Sequence, residues 1–300
     1  MTRKWRSAAA IAIFAALTLS ACGSSDSKAT DSNKDKTVTA PTFAAGSTME
    51  RIQKAGKINI GVKYDQPGFG QINPTTNKPE GFDVDIATLV AQGIFGGTKA
   101  DAAGKITWLE AKSKDREPFI QTDKVDLVVA TYTINDKRKE VIDFAGPYYT
   151  AHGDILVKST ENSIKSVTDL NGKKVCVVQG STYPATITAK APQAEQLALA
   201  DYSSCEQAVK DGRVAAMATD NVILVGLVSK SNNTEKILNT NYTDEPYGIG
   251  LKKGDTAFRT FVNDRLQTIY DDGEWKSAFQ DELGKLGVEV PTTPPTLNRY

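Results

Sequence analysis

Residues 125–138 read Val-Asp-Leu-Val-Val-Ala-Thr-Tyr-Thr-Ile-Asn-Asp-Lys-Arg. The run 126–130 has the length of a buried strand. It ends at Thr131-Tyr132-Thr133, and Asn135-Asp136-Lys137-Arg138 then opens a helix. A strand that runs straight into a helix is the unit of a parallel sheet, so the fold class is α/β. Upstream, a β-like run at 58–62, an amphipathic stretch at 82–94, a strand at 105–109 and the patch 119–121 complete a βαβαβ order. Downstream of Ile155 the pattern repeats: strand 174–178, helix 182–190, strand 196–198, helix 203–210, strand 215–219. This reads as a second α/β lobe. A strand at 247–251, helices at 256–270 and 273–283 and an aperiodic Pro/Thr tail close the chain. Parallel sheets take ligands at the carboxyl ends of their strands, so two such lobes facing each other place a ligand in the cleft between them.

The 300 residues are 40% hydrophobic and 24% charged, with 36 basic and 36 acidic side chains and one histidine. That supports a sizeable core in about two domain-sized units. No long single-sign run supplies the clustered Lys and Arg of a nucleic-acid groove, so nucleic acid is not an expected partner. A lone histidine removes most zinc sites and most imidazole general-base chemistry, and no metal or cofactor is expected. His152, beside Tyr148-Tyr149, reads as a hydrogen-bonded structural residue. The groups Gly68-Phe69-Gly70 and Gly96-Gly97 lack the Lys-Ser/Thr of a phosphate loop.

Arg3, Lys4 and Arg6 precede an apolar run at 8–19, too short to span a membrane and suited to a secretory signal. The run ends in Leu19-Ser20-Ala21-Cys22, which looks like a lipobox. Residues 1–21 are therefore expected to be a lipoprotein signal peptide and Cys22 the lipidated N-terminus. Removing 1–21 takes away three basic and no acidic residues, leaving 33 against 36 and a net charge of −3. Residues 22–48 are rich in Ser, Thr, Lys, Asp and Ala, with almost no large apolar residue before Phe43, and read as a flexible tether. Past the signal no stretch approaches the roughly twenty apolar residues of a membrane-spanning helix.

Once lipidation takes Cys22, Cys176 and Cys205 remain in an oxidising compartment, where an even pair reads as a disulfide; two separate buried thiols are the alternative. The strongest ligand constellation lies after strand 126–130, where two threonine hydroxyls and the Arg138 guanidinium converge. A guanidinium fork matches a carboxylate, and neighbouring hydroxyls and strand-end amides satisfy its other lone pairs. By composition alone, the mixed run 136–140 is equally a solvated helix face.

Several stretches together resemble the family 3 extracellular solute-binding proteins, receptors of polar amino-acid ABC importers with the type II periplasmic-binding-protein fold. They are Ile60-Gly-Val-Lys-Tyr64, Gly81-Phe-Asp-Val-Asp-Ile-Ala87, residues 125–134 with Arg138, Asp143-Phe-Ala-Gly-Pro-Tyr-Tyr149, Gln179-Gly-Ser-Thr182 and Tyr247-Gly-Ile-Gly-Leu-Lys-Lys253. The likeness is greatest to glutamate-binding lipoproteins of Gram-positive bacteria. It implies two α/β lobes joined by two hinge crossings near 148–153 and 244–247. Lobe 1 is then 49–148 with 246–300, and lobe 2 is 149–245. It also implies that Arg138 holds a ligand α-carboxylate with Thr133 and Thr131, that Ser181 and Thr182 donate from the other lobe, and that Asp220 takes the α-ammonium. Lys63, Arg116 and Ser113 fall where acidic-ligand binders meet the side-chain carboxylate; for Arg116 the competing reading is a surface partner of Asp115 or Glu117.

The resulting expectation is a monomeric, membrane-tethered receptor on the outer face of the cell membrane. It captures glutamate, or a related acidic amino acid such as aspartate, and passes it to the permease subunits of an ABC importer. Lys63, Arg116 and Arg138 against Asp220 leave a site charge that favours glutamate. Asp83 or Asp85 beside Lys63 or Arg116 would make it glutamine-like. A small-acid dehydratase on the same fold is the enzymatic alternative, and no free Asp or Glu stands out to serve it. A sensory module is a third reading, but no output segment follows the binding domain.

Overall fold

The computed structural model describes residues 36–229 and 231–300. The expected signal peptide, Cys22 and the first part of the tether lie outside the described residues. Within the unit Asn33–Tyr300, the first half of the chain gives α1 (Thr48–Ala55), β1 (Ile58–Val62), the short strands β2 (Asp65–Gln66), β3 (Gly70–Ile72) and β4 (Pro79–Glu80), and α2 (Phe82–Phe95). There follow α3 (Lys99–Ala103), β5 (Ile106–Glu110), α4 (Arg116–Gln121), β6 (Leu127–Val128), α5 (Asp136–Lys139) and the long β7 (Ile142–Lys158). The second half adds β8 (Lys174–Val178), α6 (Tyr183–Lys190), β9 (Glu195–Leu199), α7 (Tyr202–Lys210), β10 (Ala216–Asp220) and α8 (Asn221–Val228). The chain closes with β11 (Glu235–Ile237), β12 (Asp244–Lys252), α9 (Thr256–Asp271) and α10 (Glu274–Glu282).

Strands β5, β1 and β6 pair in parallel, as do β10, β8 and β9. Between these two parallel groups lie β12 and β7, antiparallel to each other and to their outer neighbours. The period of two decides which face each side chain takes. On β7 and β8, Ile155, Val157, Val175 and Val177 join the core under α6, whereas Leu156, Cys176 and Val178 join the core under α7 and α8. The other parallel group is likewise covered on both faces. Ile58, Ile60 and Val62 pack with α2, α9 and α10, and Ala111, Ile120, Val128 and Tyr132 form a cluster on the far side. Cys176 and Cys205 are joined, with Cα atoms 5.5 Å apart and 29 residues between them in sequence, so α7 is stapled to β8. A loop of that length is worth about 3–4 kcal/mol in the chain-entropy treatment.

The structure departs from the sequence reading or adds to it in four places. The helix near 82–94 is not amphipathic: every residue of α2 except Asp85 is buried. It is wedged between the sheet and α9–α10, with Phe82 edge-on to Phe279 at 5.5 Å and the Arg265 Nε donating to the Leu89 carbonyl at 2.9 Å. The segments near 148–153 and 244–247 pair with each other as one antiparallel ribbon, running from Tyr149 opposite Tyr247 to His152 opposite Asp244, a pairing the sequence reading did not foresee. The described part of the tether lies against the body. Val38 and Gly97 exchange backbone hydrogen bonds of 2.9 and 2.8 Å, and Phe43 packs edge-on to Phe261 at 5.3 Å. Finally, α1, α8 and the β2–β4 sheet had not been read from the sequence.

Candidate functional site

The residues singled out in sequence follow strand ends, where parallel sheets leave backbone groups and side chains facing a cleft. Lys63 follows β1, Thr131 and Thr133 follow β6, Gly180, Ser181 and Thr182 follow β8, and Asp220 ends β10. Lys63, Ser113, Arg116, Thr131, Thr133, Arg138 and Asp220 are all buried, while Ser181 and Thr182 are partly exposed. An open cavity of about 630 Å³ is lined by Lys114, Glu117, Gly180 and Thr186 among others, and of the residues expected from sequence it touches Arg138, Ser181 and Thr182.

Two guanidiniums meet at one carbonyl. Asn135 caps the short α5 by accepting the Arg138 amide at 2.9 Å, which aims the side chain back at its own strand end. Arg138 Nη1 donates to the Thr133 carbonyl at 2.7 Å and Nη2 to the Gly180 carbonyl at 3.0 Å, and Nε faces the Glu117 carboxylate at 3.3 Å. Arg116 Nε donates to the Ser113 carbonyl, Nη1 to those of Ala130 and Thr131, and Nη2 to that of Gly180 at 3.1 Å. The Tyr132 ring lies 4.2 Å from the Arg116 guanidinium and 4.8 Å from that of Arg138. The surface reading of Arg116 is set aside: it is 2% exposed, and Glu117 pairs with Arg138 instead. Among the described residues its hydrogen bonds go to four carbonyls and to no carboxylate, so it clamps backbone from both sides of the cleft. Gly180 makes this approach possible. Its φ is +77°, and a Cβ there would sit 2.5 Å from the Lys114 backbone.

Lys63 differs from both arginines. Its Nζ donates to the Ser113 Oγ at 2.8 Å and lies 5.2 Å from the centroid of the Tyr202 ring. Among the described residues no carboxylate comes within ion-pair distance of it. Burial, and then the nearby Arg116 charge, push its pKa down to about 7, with Asp65, Glu110 and Asp83 opposing.

Acids ring the rest of the site. Asp220 accepts from the hydroxyls of Tyr183 and Tyr247, the latter at 2.6 Å, and burial, reinforced by the Glu245 carboxylate, raises its pKa to about 7. Glu245, on the crossing ribbon, accepts from the Thr182 hydroxyl at 3.1 Å and the Thr243 hydroxyl at 3.0 Å. Asp83, at the start of α2, accepts the Thr131 amide at 2.8 Å and the Tyr148 hydroxyl at 2.6 Å; burial raises its pKa to about 7. These bonds hold Thr131 at φ +42°, a conformation a β-branched residue adopts only under constraint. The Thr131 hydroxyl donates to the Gln66 side-chain oxygen at 3.1 Å. Asp85 is elsewhere, paired with Lys99 at 2.7 Å. His152 Nδ1 contacts Asp244 at 2.9 Å across the ribbon, in keeping with a structural residue.

Gln66, Glu117, Tyr183, Tyr202, Glu245 and Tyr247 escaped sequence reading as site residues, and Asp83 was named only as a carboxylate that would make the site glutamine-like. Of these, Asp83, Glu245 and Glu117 alter the charge inventory. Lys63, Arg116 and Arg138 face Asp83, Glu117, Asp220 and Glu245, so the simple cationic site expected from four residues is replaced by a mixed one. The signals were thin. Glu117 was weighed only as a surface partner of Arg116, and Tyr202 was only the residue before an expected helix.

The sequence pattern of the bacterial extracellular solute-binding proteins, family 3, matches residues 58–285. The chain is 37% identical over 279 residues to the ABC transporter glutamine-binding protein GlnH of Bacillus subtilis, covering 93% of this chain and 96% of that protein. It is also 37% identical to the glutamate-binding protein GluB of Corynebacterium glutamicum, over 80% of this chain and 83% of the relative. Among solved structures, a solute receptor for L-cysteine of Neisseria gonorrhoeae superposes with a TM-score of 0.75 at 28% identity, over 81% of this chain and 97% of that one. The two-lobed type II periplasmic-binding-protein fold expected from sequence is the fold of such neighbours.

Proposed function

The chain belongs to family 3 of the bacterial extracellular solute-binding proteins, and from that premise we propose that it captures an amino acid, glutamate, between its two parallel-sheet halves and delivers it to an ABC importer. The observation that carries the choice of glutamate is Lys63: a buried ammonium whose hydrogen bond goes to a neutral hydroxyl. An uncompensated charge in a closed cleft costs several kcal/mol, and a ligand side-chain carboxylate removes that cost. In this reading Arg138, with Thr133 and Thr131, receives the α-carboxylate, Ser181 and Thr182 approach from the facing half, and Asp220 takes the α-ammonium. Ser113 and Lys63 meet the side chain. Arg116 supports them by its field and its grip on the backbone. The relatives named for glutamate and for glutamine binding support the substrate class, and they are receptors rather than enzymes.

The lobes in this proposal are 49–148 with 246–300 and 149–245, closing about the β7–β12 ribbon. A lipid on Cys22, after removal of 1–21, would keep the receptor beside its permease on the outer face of the membrane. Glutamine is the second reading, favoured by the four acidic residues that offset the three cations.

Titration calorimetry with glutamate, aspartate, glutamine and asparagine tests the proposal. Glutamate is expected to bind at least about tenfold more tightly than glutamine, a difference of about 1.4 kcal/mol. The reverse order makes glutamine the ligand.

A further inference from the structure

Resting on the reading that Lys63 meets the ligand side chain, we propose that Tyr202 is a specificity-determining positioning residue, carried across the cleft by α7 to hold the Lys63 ammonium in its charged, ligand-facing state. Tyr202 stands at the first position of α7 and is 3% exposed. The backbone amide at that position has no partner within its own helix. The Asp65 carboxylate takes it at 2.7 Å, from the start of β2, two residues past Lys63 and across 137 residues of sequence. A carboxylate at a helix N-terminus is favoured by the helix dipole as well as by the hydrogen bond. This seats the start of α7 beside the Lys63 loop.

The ring then meets the cation. Lys63 Nζ is 5.2 Å from its centroid, inside the range where a desolvated ammonium is attracted to an aromatic face. The Tyr202 hydroxyl lies 3.5 Å from the Ser113 Oγ, which itself accepts from Lys63, so tyrosine, serine and lysine form one cluster. Burial raises the Tyr202 pKa to about 12, which keeps the phenol neutral beside the ammonium. The charges that reach Lys63 are Arg116, which opposes its proton, and Asp65, Glu110 and Asp83, which favour it. Tyr202 adds an uncharged attraction for the protonated form. One turn further along α7, Cys205 is bonded to Cys176 of β8, which fixes the helix carrying Tyr202 to the facing sheet. The disulfide thereby acts on ligand discrimination as well as on stability.

The test titrates glutamate and glutamine into full-length wild type, Tyr202→Leu, Tyr202→Phe and the Cys176→Ser/Cys205→Ser double variant, on both sides of neutral pH. Tyr202→Leu is expected to cut the glutamate-over-glutamine ratio at least about fivefold, and to move the alkaline loss of glutamate binding to lower pH, because the neutral amine is then favoured. Tyr202→Phe, which keeps the ring, restores most of the ratio. The double variant moves both readouts in the direction of Tyr202→Leu by a smaller amount, and it decides the matter should Tyr202→Leu not fold. A merely structural role would lower the melting temperature and leave the ratio and the pH limb in place; that result in a folded variant overturns the proposal. A wild type without glutamate preference overturns the ligand reading by itself. The Tyr202 proposal then stands or falls on whether Tyr202→Leu lowers the pKa of the Lys63 ammonium in the ligand-free protein, read by NMR titration.

Discussion

At the scale of single residues, the site is defined by groups whose proton equilibria are brought together by burial. Asp220 and Asp83 are raised from 3.8 to about 7, while Lys63 is lowered from 10.5 to about 7. A carboxylate raised in the folded state binds more protons folded than unfolded. Ligand-free stability contributed by Asp83 and Asp220 therefore falls as pH rises through the window from 3.8 to about 7. An ammonium lowered in the folded state works the other way, and its share of the loss is regained between about 7 and 10.5. Binding follows from the same groups. Asp220 must be ionised to take an α-ammonium, so affinity for either amino acid falls below about pH 7. Lys63 must be protonated to attract a side-chain carboxylate, so affinity for glutamate also falls above about pH 7, whereas glutamine keeps its affinity there. Calorimetry across pH should give a bell for glutamate and a single acid limb for glutamine. A glutamate profile flat on the alkaline side would remove Lys63 from the recognition of the carboxylate.

At the scale of elements, the loop between β8 and α6 carries the Gly180 carbonyl between the two guanidiniums, and the backbone there leaves no room for a side chain. Gly180→Ala places a methyl group 2.5 Å from the Lys114 backbone at φ +77°, where neither partner is a flexible side-chain end. The substitution should leave both cores intact and hold the cleft apart, with affinity for the ligand reduced at least about tenfold while the unfolding free energy falls only by the roughly 1 kcal/mol of a strained alanine. Wild-type affinity in that variant would show that the cleft does not need this contact. What sequence reading could reach follows the same division. Strands β1 and β8 and helix α6 came within a residue of their bounds, because alternation and helical period are local properties of the chain. Helix α8, Asn-Val-Ile-Leu-Val-Gly-Leu-Val, is apolar all round and carries no period to read, and β2 and β4 are two residues each. Likewise Arg138 and Asp220 stand in quoted motifs or at strand ends, but Tyr202 and Glu245 reach the site only through folding, by contacts with Asp65 and Thr182 far away in sequence.

At the scale of the whole molecule, two parallel-sheet halves share the antiparallel ribbon of β7 and β12, so relative motion must bend a paired ribbon in which Glu245 is held by the hydroxyls of Thr182 and Thr243. Such a joint permits a hinge of limited direction rather than free tumbling of the halves. The contacts that close it are polar and narrow: Arg116 and Arg138 on the Gly180 carbonyl, Asp65 on the start of α7, and the Tyr247 hydroxyl on Asp220. A ligand that touches both halves shifts the population toward this closed form by the excess of its affinity for the closed over the open state. A compact chain of this size has a radius of gyration of about 19 Å, which the liganded protein should approach in solution scattering, with a larger value in the absence of glutamate. The same bridging couples the two cores thermally. At about one hundred times the dissociation constant the ligand adds about 2.7 kcal/mol, which for a protein of this size raises the melting temperature by roughly 4–5 °C. Because the stabilisation is shared, scanning calorimetry should show both halves unfolding in one shifted transition. A ligand held by one half alone would raise only part of the heat absorption and leave the radius of gyration where it was, and that pair of results would exclude capture by closure.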